Sequence, residues 1–105
     1  MAATTPDQSD ELLGLFKALS NPNRLRILGW LKQPDEHFPP SGPGAPGVCL
    51  KHIQAKAGVS QSTASQFMAT LQRAGLVRSH RVGQWTHWER DEAKIAALRD
   101  QLGAL

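Results

Sequence analysis

A chain of 105 residues, 40% hydrophobic, can bury one modest core, so a single domain over 1–105 is expected, with little room for a second site. No apolar run approaches the roughly 18 residues of a membrane span, the first residues lack a charged stretch followed by an apolar one, and the one cysteine, Cys49, cannot close an intramolecular disulfide; the expectation is a soluble, cytoplasmic protein with no membrane partner. The net charge of +3 is unevenly placed: residues 48–90 hold six Lys or Arg against one acid, whereas residues 1–47 and 91–105 each come to −1, so the positive charge lies in the middle, as a polyanion-binding surface needs.

In chain order, Thr5-Pro6-Asp7-Gln8 reads as a helix start, with Thr5 as N-cap, Pro6 at the first helical position and Gln8 closing a capping box. Leu12, Leu15, Phe16 and Leu19 then share one face, which predicts an amphipathic helix to about Ser20. Asn21-Pro22 repeats the start signal, and a second helix should run through Lys32, apolar on much of its circumference through Leu25, Ile27, Leu28, Trp30 and Leu31. Residues 33–47 hold five of the seven prolines and three of the nine glycines. Neither a helix nor a strand ladder is expected there, and the segment reads as an exposed loop within the domain.

Leu50 to Ala57 predicts a short third helix ended by Gly58 in the left-handed conformation. Ser60 caps a fourth from Gln61 to Ala74, stopped by Gly75, with Ala64, Phe67, Met68 and Leu71 as its inward stripe. Its opposite face, Ser62, Ser65, Gln66, Ala69 and Arg73, carries small and amide side chains in place of the usual Glu and Lys of a solvated surface. Leu76 to Arg90 then turns strand-like around a glycine, a β-hairpin with its tip near Val82-Gly83. Asp91 caps a last helix with Ile95, Leu98, Leu102 and Leu105 on one side. The expected fold is mostly α with a small β-hairpin, a winged helix-turn-helix in the order α-α-α-α-β-β-α.

The three-residue turn Gly58-Val59-Ser60 carries the functional reading. Glycine permits the reversal and Ser60 satisfies amide donors of the next helix, whose N-terminal residues would enter the major groove of duplex DNA. Gln61, Ser62, Thr63, Ser65 and Gln66 suit base edges there, since glutamine pairs bidentately with adenine and short hydroxyl residues reach bases or phosphates without filling the groove. Arg73, Arg78, Arg81 and Gln84 complete the candidate DNA-binding set, with Arg81 and Gln84 favoured because they lie nearest the hairpin tip, and Arg90 given little weight. Period-two alternation puts Trp85 and Trp88 on opposite faces of the second strand, one of them in the core.

The stretch AGVSQSTASQFMATLQRAGLVRSHRVGQW resembles the recognition helix and wing of the ArsR family of winged-helix repressors, and FKALSNPNRLRILGWL resembles that family's second helix and its approach. The resemblance covers nearly the whole chain except the proline-rich loop. It implies a homodimer assembled through the first and last helices, which represses transcription until an inducer weakens its hold on the operator. The residues support a dimer independently: so small a domain cannot cover two Leu-rich terminal stripes with one core, so Leu12, Leu15, Phe16, Leu19, Ile95, Leu98 and Leu102 are the candidate dimerisation residues. Two recognition helices would then meet successive major grooves of an inverted-repeat operator.

The resemblance implies that many relatives bind thiophilic metals through a Cys-x-Cys pair at the start of the third helix; here GVCLKHI keeps Cys49 and has Lys51 in the second place, and one thiolate cannot replace that pocket. The last helix has no histidine for the intersubunit zinc site of other relatives. Cys49 reads first as a small buried hydrophobe and second as the candidate sensor, because it lies near a helix N-terminus beside Lys51. A mixed metal site of His37, Cys49 and His52 would require the loop to fold back; no cofactor is otherwise expected. No nucleophile elbow or glycine-rich phosphate loop is present, so an enzyme is not expected. The alternative from another class is a winged-helix module for protein assembly, disfavoured because residues 61–66 offer polar side chains where protein interfaces centre on aromatic or aliphatic anchors.

Overall fold

The structure, a computed structural model, describes residues 6–41 and 44–105, with side chains from residue 9 onward. Thr5 as a cap and the side chain of Gln8 lie outside the described residues. Helix α1 (Pro6–Leu19) leads through a sharp corner to α2 (Pro22–Trp30). Asn21 makes that corner as expected: its side-chain oxygen accepts from the amides of Asn23 and Arg24 at 2.9 and 3.1 Å. Arg24 then reaches back, its Nε donating to the Ala18 carbonyl at 2.7 Å and its Nη2 to that of Lys17 at 3.2 Å. One side chain thus reaches two carbonyls at the end of α1, of which that of Lys17 also accepts from the Ser20 amide at 3.2 Å.

The proline-rich loop and the two residues that follow it each depart from expectation. First, Pro34–His37 forms a single helical turn, α3, with the Phe38 amide donating to the Pro34 carbonyl at 2.9 Å. Proline is no obstacle there, because the first helical position needs no donor and its φ is preset. Phe38 is buried and meets Trp30 edge-on, ring centroids 6.2 Å apart, so this end of the segment is pinned to α2. Second, Val48–Cys49 forms a strand, β1, ahead of α4 (Leu50–Ala57). Gly47 permits it: with φ at +70°, it passes so close to the wing that an added Cβ would lie 2.6 Å from the Trp88 carbonyl carbon. Only a residue without a side chain allows the two backbones to approach in this way.

After α4, Gly58 takes the left-handed conformation at φ +70°, and Ser60 Oγ accepts from the Thr63 amide at 3.1 Å to start α5 (Gln61–Arg73). Strands β2 (Val77–Val82) and β3 (Trp85–Arg90) form the hairpin, paired from Val77↔Arg90 to Val82↔Trp85 around Gly83-Gln84. The sheet is three-stranded, order β1-β3-β2, with Val48↔Trp88 and Cys49↔His87 adding the extra ladder. Asp91 caps α6 (Glu92–Gly103), its carboxylate accepting from the Lys94 amide at 3.0 Å.

Ile27, Ile53, Met68, Leu71, Leu76 and Leu98, from α2, α4, α5, the approach to β2 and α6, are the largest fully buried side chains among the described residues. The inward stripe of α5 is where periodicity put it: Ala64, Met68 and Leu71 have no exposed surface and Phe67 packs against them. Burying Met68 and Leu71, each worth about 1.5–3 kcal/mol, clamps α5 into the domain and leaves its other face to solvent. Among the described residues no helix is long and apolar enough to cross a membrane.

Candidate nucleic-acid interface

Helix α5 presents Gln61, Ser62, Ser65 and Gln66 as exposed side chains over its first two turns. Thr63 is different. It is half-buried, and its hydroxyl accepts from Ser60 Oγ at 2.9 Å, so it belongs to the cap that starts the helix more than to the outer face. Arg73 is also set apart. It is twelve residues beyond Gln61, roughly 18 Å along the helix, and borders a depression shared with Asp10, Glu11, Gly14 and Lys94.

The hairpin stands beside this helix and is tied to it where Gln72 Nε2 donates to Ser79 Oγ at 3.1 Å. Arg81 and Gln84 are exposed near its tip, and Arg81 Nη1 donates to Thr86 Oγ1 at 3.3 Å. Arg78 is engaged across the ladder: its Nη2 donates to Glu89 Oε1 at 2.6 Å, the same oxygen that lies 3.0 Å from His80 Nε2. An exposed pair of this kind is worth about 1 kcal/mol or less, so a phosphate can draw Arg78 away at small cost. Arg90 is held by Glu92, at 2.9 and 3.1 Å.

Between α4, the start of α5 and the hairpin lies a notch of about 280 Å³. Its walls include Gln61 and Ser65 from α5, Arg81 and Trp85 from the hairpin, and Lys51 and Gln54 from α4. The Lys51 ammonium sits 5.2 Å above the centroid of the Trp85 ring. Trp85 is 47% exposed and Trp88 is buried, the split that alternation predicts. Lys51, Gln54 and Trp85 were not in the sequence-derived set. The available signal was helical phase: with Ile53 turned inward, Lys51 and Gln54 bracket the outward side of α4's first turns.

The other candidate residues fall into two groups. Leu12, Leu15 and Leu98 are buried within the chain's own core, whereas Leu19 and Ile95 are half-buried and packed against it. Phe16 and Leu102 remain exposed at 44% and 46%, joined on α1 by Leu13. Helices α1 and α6 meet through Glu11, whose carboxylate accepts from the Gln101 amide at 2.9 Å and lies 3.3 Å from the Lys94 ammonium. These partners, the Gln101 hydrogen bond first, hold the Glu11 carboxyl below its ordinary value of 4.5. Cys49 is buried in β1, facing His87 across the ladder, and His87 is itself buried with Nδ1 unpartnered. Among the described residues no three His, Cys, Asp or Glu side chains are grouped to hold a metal, so His37, Cys49 and His52 are not brought together.

Two helices joined by a capped three-residue turn, the second laid beside a β-hairpin on a small sheet, define a winged helix-turn-helix protein, a DNA-binding class. The profile of the IclR helix-turn-helix domain matches residues 42–81, the segment that holds β1, α4, α5 and most of β2. YbzH, an uncharacterized HTH-type transcriptional regulator of Bacillus subtilis, is 47% identical over 95 residues, covering 88% of this chain and 95% of the relative. Among solved structures, an ArsR-like transcriptional regulator from Rhodococcus sp. RHA1 superposes with a TM-score of 0.69 at 24% identity, over 91% of this chain and 79% of its own. A homodimeric winged helix-turn-helix DNA-binding domain from Mycobacterium bovis does so with a TM-score of 0.66 at 24% identity, over 99% and 90%.

The chain belongs to the HTH-type transcriptional regulators, in the winged helix-turn-helix fold that it shares with those solved structures.

Proposed function

We propose that this regulator is a repressor that binds an inverted-repeat operator as a homodimer in the cytoplasm, and that a signal weakening the complex restores transcription. The observation that carries the reading is the exposed run Gln61, Ser62, Ser65 and Gln66 at the start of α5, beside a hairpin that presents Arg81 and Gln84. Gln61 and Ser65 would read base edges, with Ser62 and Gln66 alongside. Arg81, Gln84 and Arg78 would hold sugar and phosphate, Thr63 would support the cap, and Arg73 would take at most a flanking phosphate. Symmetry supplies the second half-site: Phe16 and Leu102 leave apolar surface on α1 and α6, and the M. bovis relative of the same fold is homodimeric. Pairing through those helices would set two copies of α5 about 34 Å apart on one face of the duplex. In that arrangement Leu12, Leu15, Leu19, Ile95 and Leu98 would back the interface from within.

The test is binding to the duplex upstream of the protein's own coding sequence, compared with unrelated duplex at matched salt. Gln61→Ala or Ser65→Ala should weaken the specific complex by about 1–3 kcal/mol and leave unrelated duplex nearly unaffected. Arg81→Gln should weaken both alike and flatten the salt dependence. Identical behaviour of the two kinds of variant would remove the division between reading and anchoring residues.

A further inference from the structure

Resting on the DNA-binding reading above, we infer that the notch between α4, α5 and the hairpin is the seat of one backbone phosphate of the duplex. Lys51 and Arg81 grip it from two sides, and Trp85 is the platform that positions the Lys51 ammonium. The seat would anchor the reading end of α5.

The walls named above carry two cations and no carboxylate. The nearby acid of the hairpin, Glu89, is already engaged by Arg78 and His80. Among the described residues neither Lys51 nor Arg81 has an ion-pair partner. Two uncompensated positive charges facing one concavity repel each other, and an anion between them converts that repulsion into attraction. The indole does not neutralise Lys51. A cation above an aromatic face keeps its full charge and all three N–H donors, while losing some of the freedom of a four-carbon side chain. Arg81 directs one N–H to Thr86 and retains the others of its five donors.

The size also fits. A volume of about 280 Å³ admits a phosphodiester with a few bridging waters, each of which occupies roughly 30 Å³ in the liquid. The position decides what such a contact would do. Gln61 and Ser65 form the adjoining wall, so a phosphate held there would lie next to the base pairs these residues face and would set the depth and angle at which α5 enters the groove. Helix α4 would then act as the element that crosses the backbone, through Lys51, while the hairpin closes the opposite side.

The test uses the full chain and a fluorescently labelled mixed-sequence duplex of about 30 base pairs, roughly three helical turns, titrated by anisotropy between about 50 and 200 mM salt. Lys51→Gln and Arg81→Gln should each weaken binding, and the second substitution should cost less in the background of the first, because both act on one phosphate. The double variant should reduce the slope of log affinity against log salt by about 0.9, the value for one neutralised phosphate, and not by about 1.8. Trp85→Phe should weaken binding, by less than Lys51→Gln does, and should abolish the part of the tryptophan fluorescence change that accompanies duplex addition; in the natural chain, duplex should shield Trp85 from iodide. Additive losses with a slope change near 1.8 would assign the two cations to separate phosphates and overturn the shared seat. An unchanged slope in both single variants and the double variant, with binding by the natural chain intact and thermal melts matching, would overturn the seat and leave the DNA-binding reading standing. Failure of the natural chain to bind any duplex at low salt would instead remove that reading itself.

Discussion

The two ends of the molecule are both open to solvent and differ in what they expose. At the start of α5 and along the hairpin the outward side chains are mostly amides, hydroxyls and cations, with Val82 and Trp85 as apolar exceptions and with Lys51 and Arg81 unpaired among the described residues. On α1 and α6 they include Leu13, Phe16 and Leu102, and the charges there are mostly compensated, Glu11 taking both Gln101 and Lys94. Exposure by itself therefore does not mark a binding surface; the chemistry of the exposed groups sorts the surfaces by partner. A polar cationic surface suits a hydrated polyanion that keeps its water in part. An apolar one suits a second protein surface that excludes water.

Placing charge on the apolar end should have the largest effect. Phe16→Glu combined with Leu102→Glu should shift sedimentation from dimer to monomer and lower affinity for an inverted-repeat duplex by roughly a hundredfold or more, through loss of the linked second half-site. A folded double variant that stays dimeric would show that these helices are not the interface. Gly47→Ala touches neither surface and should still disturb the polar one, because β1 holds the hairpin in place through its approach to Trp88. The left-handed φ and the backbone clash together should cost about 1–3 kcal/mol in denaturant unfolding, with the apolar end still competent to dimerise. The smallest effect concerns Glu11. Its carboxyl is held below 4.5 when folded, so the stability it lends is complete above about that pH and is lost as pH falls through the lower folded value. Melting temperatures of the natural chain and of Glu11→Gln should therefore differ slightly near neutrality and converge under acid; a gap that widens in acid would reverse the assigned sign.

Much of the polar end was legible in the sequence because local rules write it. Asn21, Gly58, Ser60 and Asp91 act within three residues of themselves, and each has the conformation or hydrogen bond that its type predicts. The 3.6-residue period of α5 separates Ala64, Met68 and Leu71 from Gln61, Ser65 and Gln66 without reference to the rest of the chain. The notch was not legible. It requires Lys51 and Trp85, thirty-four positions apart, to meet through the way α4 seats against β3. β1 was missed for a similar reason: two residues carry no periodicity, and their strand character comes only from pairing with Trp88 and His87.

The apolar end shows the same limit from the other side. Leu12, Leu15, Phe16, Leu19, Ile95, Leu98 and Leu102 look alike in a periodic reading, yet the fold buries Leu12, Leu15 and Leu98 and leaves Phe16 and Leu102 at the surface. The sequence by itself determined the five longer helices, the caps at Asn21, Ser60 and Asp91, the turn before α5, the hairpin and the sign of the central charge, since each depends on interactions among near neighbours in the chain. Only the tertiary structure decided which apolar side chains the core consumes, where Gly47 brings β1 against β3 and which cations share a concavity. Those outcomes depend on the packing of segments far apart in sequence, and burial is a property of that packing and not of any residue alone.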